Sequence, residues 1–151
     1  MPYTVPVFLL VEDDENDVLL IQRAFRKAHM ANPVHVVRDG DEAVAYLAGS
    51  GEYADRERFP LPMLVLLDLK LPRRSGFEVL EWLRAQPGLR RLPVVVLTSS
   101  DQAVDVNRAH DLGANSYLVK PGSIETLIDM VKTLDLYWVA MSRTPDLQPR
   151  P

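Results

Sequence analysis

A doubly wound, parallel five-stranded α/β fold is the architecture this sequence predicts, and two observations carry it. Five short apolar runs (VFLLV, VHVV, MLVLL, PVVVL and SYLV) recur along the chain. Each is followed by a stretch whose apolar residues fall at helical spacing. Runs apolar on both faces and separated by helices belong in a parallel sheet covered on both sides. Right-handed crossovers then wind the helices onto the two faces.

Val7 to Val11 reads as the first buried strand, followed by a helix with Val18, Ile21, Phe25 and Ala28 on one stripe. Val34 to Val37 is a shorter second strand, and Asp39 to Ala48 a helix with Ala43, Val44 and Leu47 inward. The segment from Gly49 to Pro62 is polar and proline-bounded, so it reads as a long loop. Met63 to Leu67 is the third strand, and Phe77, Leu80 and Leu83 mark the next helix. Pro93 to Leu97 is the fourth, with its proline at a tolerated strand start. Ala103, Val106 and Ala109 give a helix that Gly113 stops. Ser116 to Val119 is the fifth strand, and Ile124, Leu127, Ile128, Val131 and Leu134 line the last helix. The sequence divides into one domain over 5–141 and a proline-containing tail over 142–151, read as disordered.

Composition narrows the function. With 151 residues, 47% of them hydrophobic, the chain suits one domain with a substantial core. A net charge of -4 and no dense basic run give no electrostatic reason to bind nucleic acid directly. Zero cysteines exclude disulfides, thiol catalysis and cysteine-ligated metals, and suit a reducing cytoplasm. The N-terminus has no signal-peptide character, and no apolar run nears the roughly 18 residues of a membrane span.

In doubly wound sheets, sites form beyond the carboxyl ends of the strands. Glu12, Asp13 and Asp14 follow the first strand, Asp68 the third, Thr98 to Ser100 the fourth, and Lys120 the fifth. If the first and third strands are neighbours, Glu12, Asp13 and Asp68 converge. Two carboxylates about 4 Å apart repel by about 4 kcal/mol at an effective dielectric near 20. Such a cluster shifts a pKa or takes a cation, and oxygen-only ligands suit Mg²⁺ (or Mn²⁺). A divalent ion beside a carboxylate nucleophile is the arrangement for making an aspartyl phosphate. Lys120 would neutralise phosphoryl charge and Thr98 would hydrogen-bond another oxygen. Each residue also has a plain structural use. Asp13 or Asp14 can cap the first helix, Ser100 or Asp101 the fourth, and Lys120 alone can be a solvated lysine. His29, His35 and His110 have no ligand spacing and read as packing or surface residues, while Trp82 and Trp138 read as packing residues on helices.

At this point the residues resemble the response regulator receiver domains. LLVEDDEND resembles the family's acidic motif, LLDLKLPRRSG its phosphoacceptor motif, VVVLTSS its hydroxyl motif and YLVKP its lysine motif. The resemblance runs from Val7 to about Leu134. It implies a flavodoxin-like sheet in strand order 2-1-3-4-5 and phosphorylation of Asp68 by a partner histidine kinase. It implies Mg²⁺ on Asp13, Asp68 and the Lys70 backbone carbonyl, with Glu12 holding a metal-bound water. Thr98 would contact the phosphoryl group, Lys120 would pair with it, and Tyr117 would be the switching aromatic. The Lys120–Pro121 bond matches one that is usually cis in the family. Lys70 and Ser100 occupy the positions that tune dephosphorylation, and Gly122 departs from the family's apolar residue.

A narrower resemblance, in GEYADRERFP, the GFEVLEWLRAQPGLRRLP segment and the terminal YWVAM, is to stand-alone regulators of phytochrome-type (bacteriophytochrome) histidine kinases. The expected output is therefore protein–protein binding or relay to a histidine phosphotransfer protein. Tyr137, Trp138 and Met141 extend the last helix beyond its core and predict a homodimer through that helix and the fifth strand. Two other readings compete. A haloacid-dehalogenase-type phosphatase wants a second Asp where Lys70 stands, and a phosphate-independent binding module would not need the complete acceptor, acid, hydroxyl and lysine set.

Overall fold

The computed structural model describes residues 5–147. The elements run β1 (Phe8–Val11), α1 (Glu15–Lys27), β2 (Val34–Val37), α2 (Gly40–Ala48), β3 (Leu64–Leu67), α3 (Gly76–Ala85), β4 (Val94–Thr98), α4 (Ala103–Asp111), β5 (Ser116–Val119) and α5 (Ile124–Leu134). All pairings are parallel, in the order β2-β1-β3-β4-β5. The expected fold and strand order are both met.

The three central strands are fully buried because both faces are covered. Side chains alternate between two cores, as a period of two requires. Leu9, Val11, Val65 and Leu67 face Ala43, Leu47, Leu80 and Leu83 from α2 and α3. Phe8, Leu10, Leu64 and Leu66 face Ile21, Phe25, Leu127 and Val131 from α1 and α5. The edge strands β2 and β5 are only half-buried over most of their length.

Helix starts follow capping chemistry. Asp14, Asp39, Ser75 and Ser123 each accept a hydrogen bond from a first-turn backbone N–H. At Ser75 the reciprocal bond, from its own backbone N–H to the Glu78 carboxylate, completes a capping box. The fourth helix departs from expectation: Gln102 sits at its N-cap position and makes no side-chain capping bond. Ser100 reaches the same helix start from two residues further back, its hydroxyl accepting from the Gln102 N–H at 3.3 Å and donating to Asp105 Oδ2 in the first turn at 2.5 Å.

The long loop before β3 is more ordered than its composition suggested. It opens with a 3₁₀ turn over Gly51–Ala54. Arg56 donates to the carbonyls of Tyr46 and Leu47, satisfying orphan groups at the end of α2. Tyr46, Tyr53 and Phe59 pack edge-on or tilted with centroids 4.9 to 5.9 Å apart.

Beyond α5 the chain continues as a π-helical segment, Asp135–Met141, closed by a 2.6 Å bond from the Ser142 N–H to the Tyr137 carbonyl. Trp138 packs against the α1–α5 core, whereas Tyr137 and Met141 are exposed. Residues 142–147 carry no helix or strand, yet Leu147 packs against the α2–α3 core. The rest of the expected tail, 148–151, lies outside the described residues.

Candidate functional site

The site forms at the carboxyl edge of the sheet because the ladder ends there in step. The Glu12 N–H donates to the Val37 carbonyl, the Asp68 N–H to Val11, and the Lys120 N–H to Thr98. Glu12, Asp68 and Lys120 are thus each the first residue beyond a strand pinned by its neighbour, and Thr98 is the last within one.

Asp68 is the hub and is buried. Its Oδ1 accepts from the Leu69 N–H at 2.7 Å and the Thr98 hydroxyl at 2.9 Å. Its Oδ2 accepts from Lys120 Nζ at 3.0 Å. Burial alone would push this carboxyl up. The hydrogen bond and charge of Lys120, with bonds involving Glu12 and Thr98, outweigh burial and hold it below the usual range.

Glu12 behaves oppositely. Burial, resisted by Lys120 and reinforced by the Asp68 charge, pushes its carboxyl up to about 7. Lys120 Nζ lies 2.5 Å from Glu12 Oε1, a charge contact that lacks hydrogen-bond geometry, so that buried oxygen has no hydrogen-bond partner. Lys120 itself would be lowered by burial, but its bonds to Asp17 and Asp68 and its charge contact with Glu12 hold it well above the ordinary ammonium value.

Carboxylate oxygens of Glu12, Asp13 and Asp68 lie within 4.8 Å of one another. Asp13 is exposed and the other two are buried. A hard divalent cation fits this set: all donors are oxygen, one buried oxygen is orphaned, and the exposed side leaves room for water and phosphate. Lys70 has an exposed side chain, while its backbone N–H lies 3.4 Å from Asp68 Oδ1.

Tyr117 is half-buried, and its hydroxyl donates to the Ser100 carbonyl at 2.9 Å, linking β5 to the loop after β4. The Lys120–Pro121 bond, expected cis from the family pattern, is trans. X–Pro bonds prefer trans by only about 0.5–1 kcal/mol, so the local sequence does not dictate the isomer.

Glu12, Asp13, Asp68, Thr98 and Lys120 therefore come together as the strand ends suggested, with Tyr117 one shell away. The sequence reading overlooked Asp17. This α1 residue places Oδ2 2.7 Å from Lys120 Nζ across 103 positions of chain. Its only signal was a place in the first turn of the helix after the acidic motif.

A doubly wound parallel sheet with acids, a hydroxyl and an ammonium gathered at its carboxyl edge defines an α/β domain of the flavodoxin-like class. A family model for the response regulator receiver domain matches residues 8–132, and the chain belongs to that family. Response regulator Rcp1 of Synechocystis sp. is 39% identical over 139 residues, covering 92% of this chain and 92% of that protein. The phosphorylated cyanobacterial phytochrome response regulator RcpA superposes with a TM-score of 0.86 at 39% identity, over 94% of this chain and 99% of that one. The Mn²⁺-bound form of Rcp1 superposes with a TM-score of 0.81 at 38% identity, over 93% and 99%.

Proposed function

We propose that this receiver takes a phosphoryl group from a sensor histidine kinase onto Asp68 and signals through protein contacts. The observation that carries the reading is the Asp68 carboxylate, buried at the end of β3 and bonded to both Thr98 and Lys120. An Asp68 oxygen attacks phosphorus while the bond from phosphorus to the kinase histidine nitrogen breaks, leaving the imidazole with the electron pair. Lys120 neutralises charge on the arriving group, and the Thr98 hydroxyl turns from Asp68 Oδ1 to a phosphoryl oxygen. Glu12, Asp13, Asp68 and the Lys70 carbonyl would hold Mg²⁺ or Mn²⁺, which supplies neutralising charge to the phosphoryl oxygens when bound. The domain acts catalytically on itself alone, in gaining and losing the phosphoryl group.

Thr98 and Tyr117 form the switch, Thr98 reporting the phosphoryl group and Tyr117 the position of the β4–α4 loop. The receiver body spans 5–141, with 142–151 as a tail. The kinase partner is phytochrome-type; this rests on RcpA being a phytochrome response regulator. Relay to a histidine phosphotransfer protein is a further output. Among the described residues, no helix is long and apolar enough to cross a membrane. We place the protein in the cytoplasm, where ATP-charged kinases are available.

A homodimer through α5 and β5 completes the reading. A groove of about 670 Å³ runs between these elements, lined by Ser116, Leu118, Met130, Leu134, Tyr137 and Trp138 among others. Tyr137 and Met141 stand exposed at 54% and 66%, more than a solvated helix end requires.

Intact mass after incubation with acetyl phosphate and Mg²⁺ tests the core of this. Wild type gains one phosphoryl group, Asp68→Asn gains none, and EDTA abolishes the adduct. An adduct that persists in Asp68→Asn removes Asp68 as acceptor; no adduct from either acetyl phosphate or a charged kinase leaves a phosphate-independent binding module.

A further inference from the structure

Lys120 has three N–H donors, and three carboxylates surround it. Asp17 Oδ2 is 2.7 Å from Nζ, Glu12 Oε1 2.5 Å, and Asp68 Oδ2 3.0 Å. Glu12 and Asp68 sit at the floor of the site, with side chains 1% and 9% exposed. Asp17 is the third partner, 32% exposed, on a helix at the mouth. It belongs neither to the acceptor nor to the carboxylate cluster that fits a cation.

Phosphorylation changes what Lys120 sees. The Asp68 carboxylate becomes a neutral acyl oxygen, and the new group carries a charge of about -1.5 to -2 on three oxygens. The ammonium's best partner is then the phosphoryl group. Glu12 is walled in and cannot retreat, whereas Asp17 has solvent beside it. The bond to Asp17 also ties α1 to the loop after β5, residues 103 positions apart.

We propose that Asp17 is a positioning residue that competes with the phosphoryl group for Lys120, and so sets how firmly the phosphorylated state is held. This rests on the receiver reading above. In the unphosphorylated site Asp17 holds the ammonium toward α1; on phosphorylation it is the partner that yields. Neutralising it removes the competitor and leaves Lys120 still held by Glu12 and Asp68.

The test is calorimetric titration of the Mg²⁺-loaded protein with beryllium fluoride, an acyl-phosphate mimic that forms no covalent bond. Asp17→Asn should bind it about two- to fivefold more tightly than wild type, the range expected for a half-exposed ion pair. Asp17→Glu, which keeps the charge, should stay near wild type. In a Lys120→Gln background the gain from Asp17→Asn should shrink, because the competition runs through the ammonium. Unchanged or weaker binding by Asp17→Asn overturns the proposal, as does an equal gain without Lys120. Failure of wild type to bind the mimic overturns the receiver chemistry as well, so the two failures are told apart.

Discussion

Glu12 and Asp68 show how one cluster drives two carboxyls in opposite directions. Lys120 lies within 3.0 Å of both, but only Asp68 also accepts from Thr98 and the Leu69 N–H. Glu12 keeps a buried oxygen without a hydrogen bond, and burial prevails, raising it to about 7. The folded state therefore holds the Glu12 proton more tightly than the unfolded chain does. This group's stabilisation is complete below its ordinary value of 4.5 and is lost as pH rises toward 7. Without metal, Glu12→Gln should gain stability over wild type across that window, on the order of 2 kcal/mol at pH 8. Urea melts in EDTA at pH 5 and pH 8 measure it, and an unchanged difference between the two pH values speaks against the shift. Metal reverses the preference, because only the ionised carboxylate is a ligand. Mg²⁺ affinity should fall below pH 7, with proton release visible in calorimetry across buffers of different ionisation enthalpy.

Thr98 is a separate matter at the same scale. Its hydroxyl bonds Asp68 directly and is 1% exposed. Thr98→Ala should still accept phosphate from acetyl phosphate but lose phosphorylation-dependent partner binding. Pull-down with and without the donor reads this, and retained binding would break the proposed coupling.

Among elements, the loop from β3 to α3 is tightly packed against the start of α3. Gly76 begins α3 so close to the end of β3 that a Cβ there would lie 2.2 Å from the Asp68 carbonyl oxygen. Gly76→Ala should cost about 1–3 kcal/mol by overpacking and also weaken Mg²⁺ binding, because the strain falls on the backbone of Asp68 itself. Paired melts and metal titrations check both effects, and stability loss with intact metal affinity would confine the strain to α3. Arg84 braces the opposite end of the sheet. Its guanidinium donates to the carbonyls of Gly113, Arg90 and Leu92 and to Asn115 Oδ1, tying α3 to the turns beside β4 and β5. Replacing it with Ala should cost about 2–3 kcal/mol, since charged donors are lost and several part-buried carbonyls are left unpaired.

For the whole molecule, both faces of the sheet are covered but its β5 edge is not. The helices on both faces bury their stripes, but the β5 edge and the end of α5 leave an open apolar groove. Trp138 roofs it and contacts Tyr137 at a centroid distance of 5.0 Å. The proposed α5–β5 homodimer should shift toward monomer in Trp138→Ala, read by light scattering at micromolar concentration, while the acetyl phosphate reaction survives. An unchanged oligomer would remove this face as the interface.

Hydrophobic periodicity, by itself, determined the order of strands and helices in this chain, because burial on one or two faces imprints a local pattern that survives in sequence. It also determined which residues could meet, since Glu12, Asp13, Asp68, Thr98 and Lys120 each adjoin a strand's carboxyl end, where a parallel sheet collects them. The strand starts moved inward by a residue at Val7, Met63 and Pro93, where the apolar run begins one position before the strand. Only the tertiary structure decided the rest. Asp17 meets Lys120, Arg84 meets the Gly113 turn, and Leu147 meets the core through contacts between distant segments. The trans Lys120–Pro121 bond and the π-helical turn after Leu134 were likewise illegible. Such features rest on small energy differences settled by surroundings that a one-dimensional pattern does not contain: a bond between polar side chains far apart in sequence repeats with no period, and nothing local selects it.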